Sequence, residues 1–313
     1  PISLVVLAVV LVVFYIAGLA AGRLSRPIGI LVFLGPAALF MIVGLVIPAV
    51  RTFALSFYDA NGVNAVGLDN YAWTFTNPSM RVVLINTVIW LVVAPTLSTA
   101  LGLVLALLAD RMGKVSEQVT KSLIFLPMAI SFVGASVIWK FVYQYVEPTR
   151  PQIGLLSQMV IWLGVENPPN WLLQSPLNTF MLIVIMIWVQ TGFAMVVLSA
   201  AIKAIPHDVI EAASLDGATG WQQFSKVTIP MIRGTLIVVF TTILIATLKI
   251  FDIVRTMTGG NFNTSVLANE MYSQTFVQGD QGRGSALAVI LFIGVVPVLV
   301  YNIHQLRKER AVR

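Results

Sequence analysis

Side chains able to do covalent or metal chemistry are scarce in this sequence. Cysteine is absent, which excludes a disulfide framework, a thiol nucleophile and a thiolate metal site. His207 and His304 are the only histidines and lie far apart, so a histidine-rich metal site is not expected. The phosphate-loop pattern G-x-x-x-x-G-K-[ST] is missing; Gly113-Lys114 lacks the earlier glycine. What remains is non-covalent: polar groups set inside apolar runs, and one polar loop between two such runs.

Lys249 is the sharpest of these polar groups, because a lysine at the centre of an apolar span costs about 2.5–3.5 kcal/mol. Asp252 follows three residues on, the same helical face, so an internal ion pair and a substrate-path role both account for it. Gln190 lies mid-run with Trp188 and Phe193 nearby. It suits interhelical hydrogen bonding or a polar path. Asn86, Ser131 and Ser136 are further polar candidates that also suit structural roles. Trp90 and Trp139 are suited to an interfacial aromatic belt.

The elements that hold these residues follow from composition. Of 313 residues 58% are hydrophobic and only 10% charged, against roughly 25% in a soluble domain. Too few charges are present to hydrate a globule, so lipid is the expected solvent. Runs long enough to span occur at 1–22, 28–50, 82–109, 122–145, 178–202, 235–256 and 286–303. Each must satisfy its own backbone in hydrocarbon, which makes it a helix. The expected fold is all-α and polytopic, with about seven transmembrane helices. Residues 1–27 form an extra amino-terminal span and basic loop, and 28–313 the main transmembrane domain. The 1–22 run is longer than a signal-peptide core, and its basic residues follow it, so a true span is expected.

Twelve basic residues fall on one side of this topology: Arg23, Arg26, Arg111, Lys114, Lys121, Lys203, Lys226, Arg233 and the tail Arg307, Lys308, Arg310 and Arg313. Five fall on the other: Arg51, Arg81, Arg150, Arg255 and Arg283. The positive-inside rule then puts the carboxyl terminus in the cytoplasm. The net charge of +6 thus serves orientation, and no nucleic-acid partner is expected. Gly18 and Gly22 form a G-x-x-x-G pair that permits close helix packing.

The longest cytoplasmic loop, 203–234, predicts two short helices. Asp208 is placed to cap the first, with Glu211 reaching back in a capping box. Gly217 suits the left-handed residue after its end. Thr219 and Gln222 repeat the cap for a second helix, which Pro230 should limit. A first helix of about 12 Å is marginal alone in water, so it needs a docking surface, on its own chain or on a partner.

This loop resembles the EAA loop of ATP-binding-cassette importer permeases: E-A-A, three residues, G, nine residues, then I-x-L-P. Here Glu211-Ala212-Ala213 leads to Gly217 and then to Val227-x-Ile229-Pro230, two aliphatic swaps from the pattern. The resemblance implies a coupling helix that enters a groove of a separate ATPase, with Glu211, Ala212, Ala213, Asp216 and Gly217 at the contact. Glu211 then serves either a basic partner or the cap. It further implies no cofactor on this chain, with ATP and Mg on the partner ATPase. The implied partners are a second permease subunit, two ATPase subunits and an extracytoplasmic binding protein, in a bacterial or archaeal plasma membrane.

Other stretches resemble the sugar branch of that family: Ser56-Phe57-Tyr58-Asp59 with Val66-Gly67-Leu68-Asp69-Asn70-Tyr71, Lys203-Ala204-Ile205-Pro206, and Phe251-Asp252-Ile253-Val254 with Met257-Thr258-Gly259-Gly260. The continuation Asn261-Phe262-Asn263-Thr264 is closer to permeases for maltose and other α-glucosides. By this resemblance Gln190, Phe193 and Lys249 fall where such relatives line their sugar site. The implied function is a sugar-import permease that catalyses no reaction itself. An ion-driven secondary transporter is disfavoured by the lack of an internal repeat and the odd span count. A membrane scaffold or sensor is disfavoured by the EAA loop.

Overall fold

The structure, a computed structural model, describes Val13, residues 26–147 and residues 150–311. The described residues are almost wholly helical, with a single isolated β-bridge between Tyr58 and Ala65. The expected first span at 1–22, with Gly18 and Gly22, lies outside them apart from Val13.

The chain enters on α1 (Arg26–Met41), a π turn (Ile42–Val46) and α2 (Ile47–Leu55). Pro48 stands at the start of α2. A proline lacks its amide and presses on the carbonyl four residues back, and the wider π turn relieves both problems. The same device recurs at Pro230, behind the π turn Phe224–Thr228. The expectation that Pro230 limits its helix is therefore corrected: the helix runs on from Gly220 to Leu248.

After α3 (Asp69–Thr76), the long α4 (Pro78–Asp110) begins at Asn77, whose side chain accepts from the Ser79 and Met80 amides. At 33 residues it is about 50 Å long and outreaches the hydrocarbon layer. The expected single span at 122–145 is corrected to a broken pair. Its arms are α5 (Lys114–Phe125) with a 3₁₀ turn to Ala129, and α6 (Phe132–Val142), bent by 102°. The break has local causes: Pro127 removes a donor, and extended Ser131 caps α6 by accepting from Gly134 N at 3.1 Å.

Beyond α7 (Leu155–Trp162), α8 (Leu177–Lys203) is the mast of the bundle. Of its most apolar stretch 67% is buried, against 33% for α4, so the other helices pack around it. The core reads along it as Leu182, Ile185, Met186, Val189, Met195 and Leu198. Two glycines set the closest approaches. A Cβ on Gly102 would lie 2.4 Å from Ala194 Cβ, and one on Gly192 would lie 2.4 Å from the Ile124 carbonyl oxygen. Close packing through small residues is how membrane helices associate when no hydrophobic drive separates them from lipid.

The chain ends with α9 (His207–Leu215), α10 (Gly220–Gln223), α11 (Ile229–Leu248), α12 (Asp252–Met257), α13 (Leu267–Tyr272) and α14 (Gln281–Ala311). The expected span at 235–256 stops at Leu248, and α12 is a separate short helix packed on α6 and α8. Among the described residues, five helices are long and apolar enough to cross a membrane, or six if the bent pair forms one span.

Candidate functional site

At one end of the bundle, α8 stops at Lys203 and three residues lead into α9. Pro206 holds the N-cap place of α9 and no side chain caps it, so the expected Asp208 cap is corrected; Asp208 sits within the first turn. The cap cannot form because the preceding proline already sets an extended entry, and an acidic residue inside the first turn acts on the helix dipole instead. Glu211 has no capping partner and is exposed.

The far end of α9 matches expectation. Gly217 has φ +77, Gly217 N donates to Ser214 O at 3.1 Å, and Ala218 N donates to Ala213 O at 3.0 Å. This last bond is the Schellman closure. Thr219 and Gln222 form the expected capping box: Thr219 N donates to Gln222 Oε1 at 2.8 Å and Gln222 N to Thr219 Oγ1 at 3.4 Å. Gln223 Nε2 reaches back to Ser214 Oγ at 2.8 Å, tying α10 to α9.

The result is a short, closed rod held away from the bundle. Glu211, Ala212, Asp216 and Gly217 are exposed and Ala213 is half-buried. Two large apolar side chains flank them: Leu215 is 83% exposed and Trp221 73%. Isolated exposed apolar residues are ordinary, but Leu215 stands on a helix too short to hold itself in water. Behind the rod lies a cavity of about 480 Å³, lined among others by Asp110, Arg111, Lys203, His207, Ile210 and Gln223.

Beside that cavity sits a charge cluster that is only partly legible in the sequence. Glu117, in the first turn of α5, is 7% exposed. It accepts from Lys121 one turn on and from Lys203 at 2.7 Å. Lys121 also donates to Ser199 on α8. The Glu117–Lys121 spacing is readable on a helix, whereas Lys203 lies 86 residues away and only the fold brings it in.

Within the apolar layer the expected path residues divide. Trp188 packs edge-on against Trp139 with ring centroids 5.8 Å apart, and Trp139 lies 5.0 Å from Tyr143. Trp139 therefore belongs to an aromatic cluster between α6 and α8. Trp90 is 1% exposed in the core, which corrects the expectation of an interfacial belt for it. Gln190 is buried at 9% exposure and, among the described residues, has no hydrogen-bond partner. The interhelical bond considered for it is not formed. Phe193 lies three residues on, along the same face of α8, and is half-buried.

Lys249 and Asp252 form no ion pair, which corrects one of their two readings. The helix ends at Leu248, Lys249 turns out of it at φ −97 and ψ 15, and Asp252 starts α12, so three-residue helical spacing is lost. Lys249 is exposed and Asp252 half-buried.

Asn86 and Ser131 both make contacts that hold the fold. Asn86 Nδ2 donates to Asn263 O at 2.6 Å and Ser265 O at 3.1 Å, and Ser131 is the α6 cap. The loop that Asn86 grips is strained: Phe262 and Asn263 have φ +57 and +61, and Asn178 holds the Phe262 carbonyl at 2.8 Å. Such backbone persists only when its surroundings over-determine it.

Comparison with known proteins then places the chain. Residues 98–313 match the family described as the binding-protein-dependent transport system inner membrane component. The osmoprotective compounds uptake permease protein of Synechocystis is 50% identical over 90% of this chain and 100% of its own length. The alpha-glucoside transport system permease protein of Rhizobium meliloti is 48% identical over 92% of this chain and 85% of its own. In fold, the chain is similar to a bacterial ABC transporter involved in alginate import. The TM-score is 0.75 at 20% identity, over 87% of this chain and 93% of that one. With the rod, its register and the helical bundle in agreement, this chain belongs to the family of inner membrane components of binding-protein-dependent transport systems.

Proposed function

We propose that this chain is the permease subunit of an ATP-driven importer for α-glucosidic oligosaccharides such as maltose or trehalose. The observation that carries the reading is α9: an exposed, Schellman-closed rod bearing Glu211-Ala212-Ala213 and Gly217 in register with the EAA pattern, inside the matched region. The substrate class draws on relatives. Besides the alpha-glucoside permease, the trehalose/maltose permease of Thermococcus litoralis is 31% identical over 83% of this chain and 88% of its own.

In this reading the rod seats in a separate ATPase, with Leu215 and Trp221 adding apolar contact. ATP with Mg acts on that partner, and ATPase closure pulls on α9. The full assembly holds a second permease subunit, two ATPases and an extracytoplasmic binding protein. The rod and the carboxyl terminus face the cytoplasm, in keeping with the basic residues on that side. Gln190 offers unpaired amide groups and Trp188 and Phe193 offer ring faces to the sugar, and Lys249 and Asp252, at the α11–α12 break, are the charged candidates for the path. Transport is then a two-state switch biased from both ends by ATP and by the binding protein.

The test is ATPase activity of the purified complex across a panel of maltose, trehalose, longer α-glucans and osmoprotective solutes, with binding protein present. Stimulation by α-glucosides supports the reading. Stimulation by osmoprotective solutes alone would reassign the substrate toward the 50% identical relative. Uptake that follows an imposed proton gradient without ATP would sink the importer reading.

A further inference from the structure

We infer that Glu117 is a positioning residue that latches the broken helix pair to the root of the coupling rod, so that α5, α6 and the lower half of α8 move as one body. The inference rests on the importer reading and deepens it. Lys203 is the last residue of α8 and stands three residues before α9, at the place where any pull on the rod enters the bundle. Its ammonium donates to Glu117 on α5 at 2.7 Å. Lys121, one turn along α5, bonds both Glu117 and Ser199, which lies one turn above Lys203 on α8.

A second attachment lies higher up. At Gly192 there is no room for a Cβ, because the Ile124 carbonyl oxygen would be 2.4 Å from it. The two contacts lie about 10 Å apart along α5 and about 16 Å apart along α8. Past the 102° bend, α6 carries Trp139 onto Trp188, two residues from Gln190. A displacement at Lys203 is thereby handed through α5 and the bend to the aromatic cluster beside the proposed path.

The carboxylate is what makes the clamp hold. Lys121 and Lys203 side chains are 21% and 47% exposed and meet on one carboxylate that is 10% exposed. Without that charge the two ammoniums face each other unscreened, and α5 loses its ionic tie to α8. The Lys121–Ser199 bond and the close packing at Gly192 then remain, without the charge that ties Lys203 to α5.

The test uses the complete complex in proteoliposomes, with maltose and trehalose as probes and binding protein present. Glu117→Gln is expected to lower the ratio of sugar-stimulated to basal ATPase about tenfold or more, with uptake falling in step. Basal ATPase and the amount of assembled complex should stay at wild-type level. The charge swap Glu117→Lys with Lys203→Glu rebuilds one carboxylate between two partners and is expected to restore coupling. Wild-type coupling in Glu117→Gln overturns the latch, and so does a swap that assembles fully yet stays uncoupled. Should Glu117→Gln fail to assemble, Lys203→Gln decides, since it leaves the Glu117–Lys121 pair in place: reduced coupling supports the latch and unchanged coupling overturns it. A wild-type complex with no ATP-driven uptake overturns the importer reading itself, a result distinct from any of these.

Discussion

Substituting Gly217 isolates the end of the α9 rod from the rest of the bundle. Its φ is +77, and a Cβ built there meets no atom within 4 Å. Within this chain the effect of a side chain is therefore on the backbone, with no steric damage to the bundle. Alanine in the left-handed region costs about 1–2 kcal/mol. That shifts the closed form of the rod by a factor of about 5–30. Asparagine tolerates the same conformation and should cost less. Proline is excluded three ways. Its φ is fixed near −65°. It lacks the amide that now donates to Ser214 O at 3.1 Å. It also disfavours the φ −72, ψ 3 conformation of Asp216 before it.

The assay is sugar-stimulated ATPase of the reconstituted complex, with assembly followed by size-exclusion chromatography. Coupling should fall in the order Gly, Asn, Ala, Pro, and Gly217→Pro should abolish it. Assembly should be equal throughout. Full coupling in Gly217→Pro would refute the reasoning, as would Asn and Ala variants that are equally impaired while assembled.

Gly192→Val drives a side chain into the Ile124 carbonyl, and overpacking of this kind should cost about 1–3 kcal/mol, read as a lower melting temperature of the purified complex. Asn86→Leu leaves the Asn263 and Ser265 carbonyls without their donor in a strained loop; a loss of about 1–3 kcal/mol and faster proteolysis within 258–265 are expected. Gln190→Leu should raise the sugar concentration needed for half-maximal uptake while basal ATPase is unchanged; unaltered sugar dependence would remove Gln190 from the path. Asp59 is held below its ordinary 3.8 by the Val63 amide and the Asn64 side chain. Its contribution to the 56–66 turn is therefore present above pH 3.8 and is lost as pH falls through the lower folded value. Amide exchange at Val63 should quicken over that window in wild type, and Asp59→Asn should remove the dependence.

The sequence by itself determined the elements whose causes are local. Apolar runs of spanning length can only be helices in hydrocarbon. Gly217 and the Thr219–Gln222 box were readable because a left-handed residue and a reciprocal cap involve neighbours a few positions apart. The EAA register was readable for the same reason.

The tertiary structure alone decided what depends on distant partners. Hydropathy averages over a window and so missed the bend at Ser131, where a proline turn and a cap break an unbroken apolar run. It likewise carried a span past Leu248, and with that error the Lys249–Asp252 pair was drawn on one face when the chain turns between them. Pro230 reads as a stop, yet a π turn absorbs it. Asn86 and Glu117 are the clearest cases. The atoms they satisfy lie 177 and 86 residues away, and no periodicity in the chain encodes a hydrogen bond that only the packing of separate helices creates.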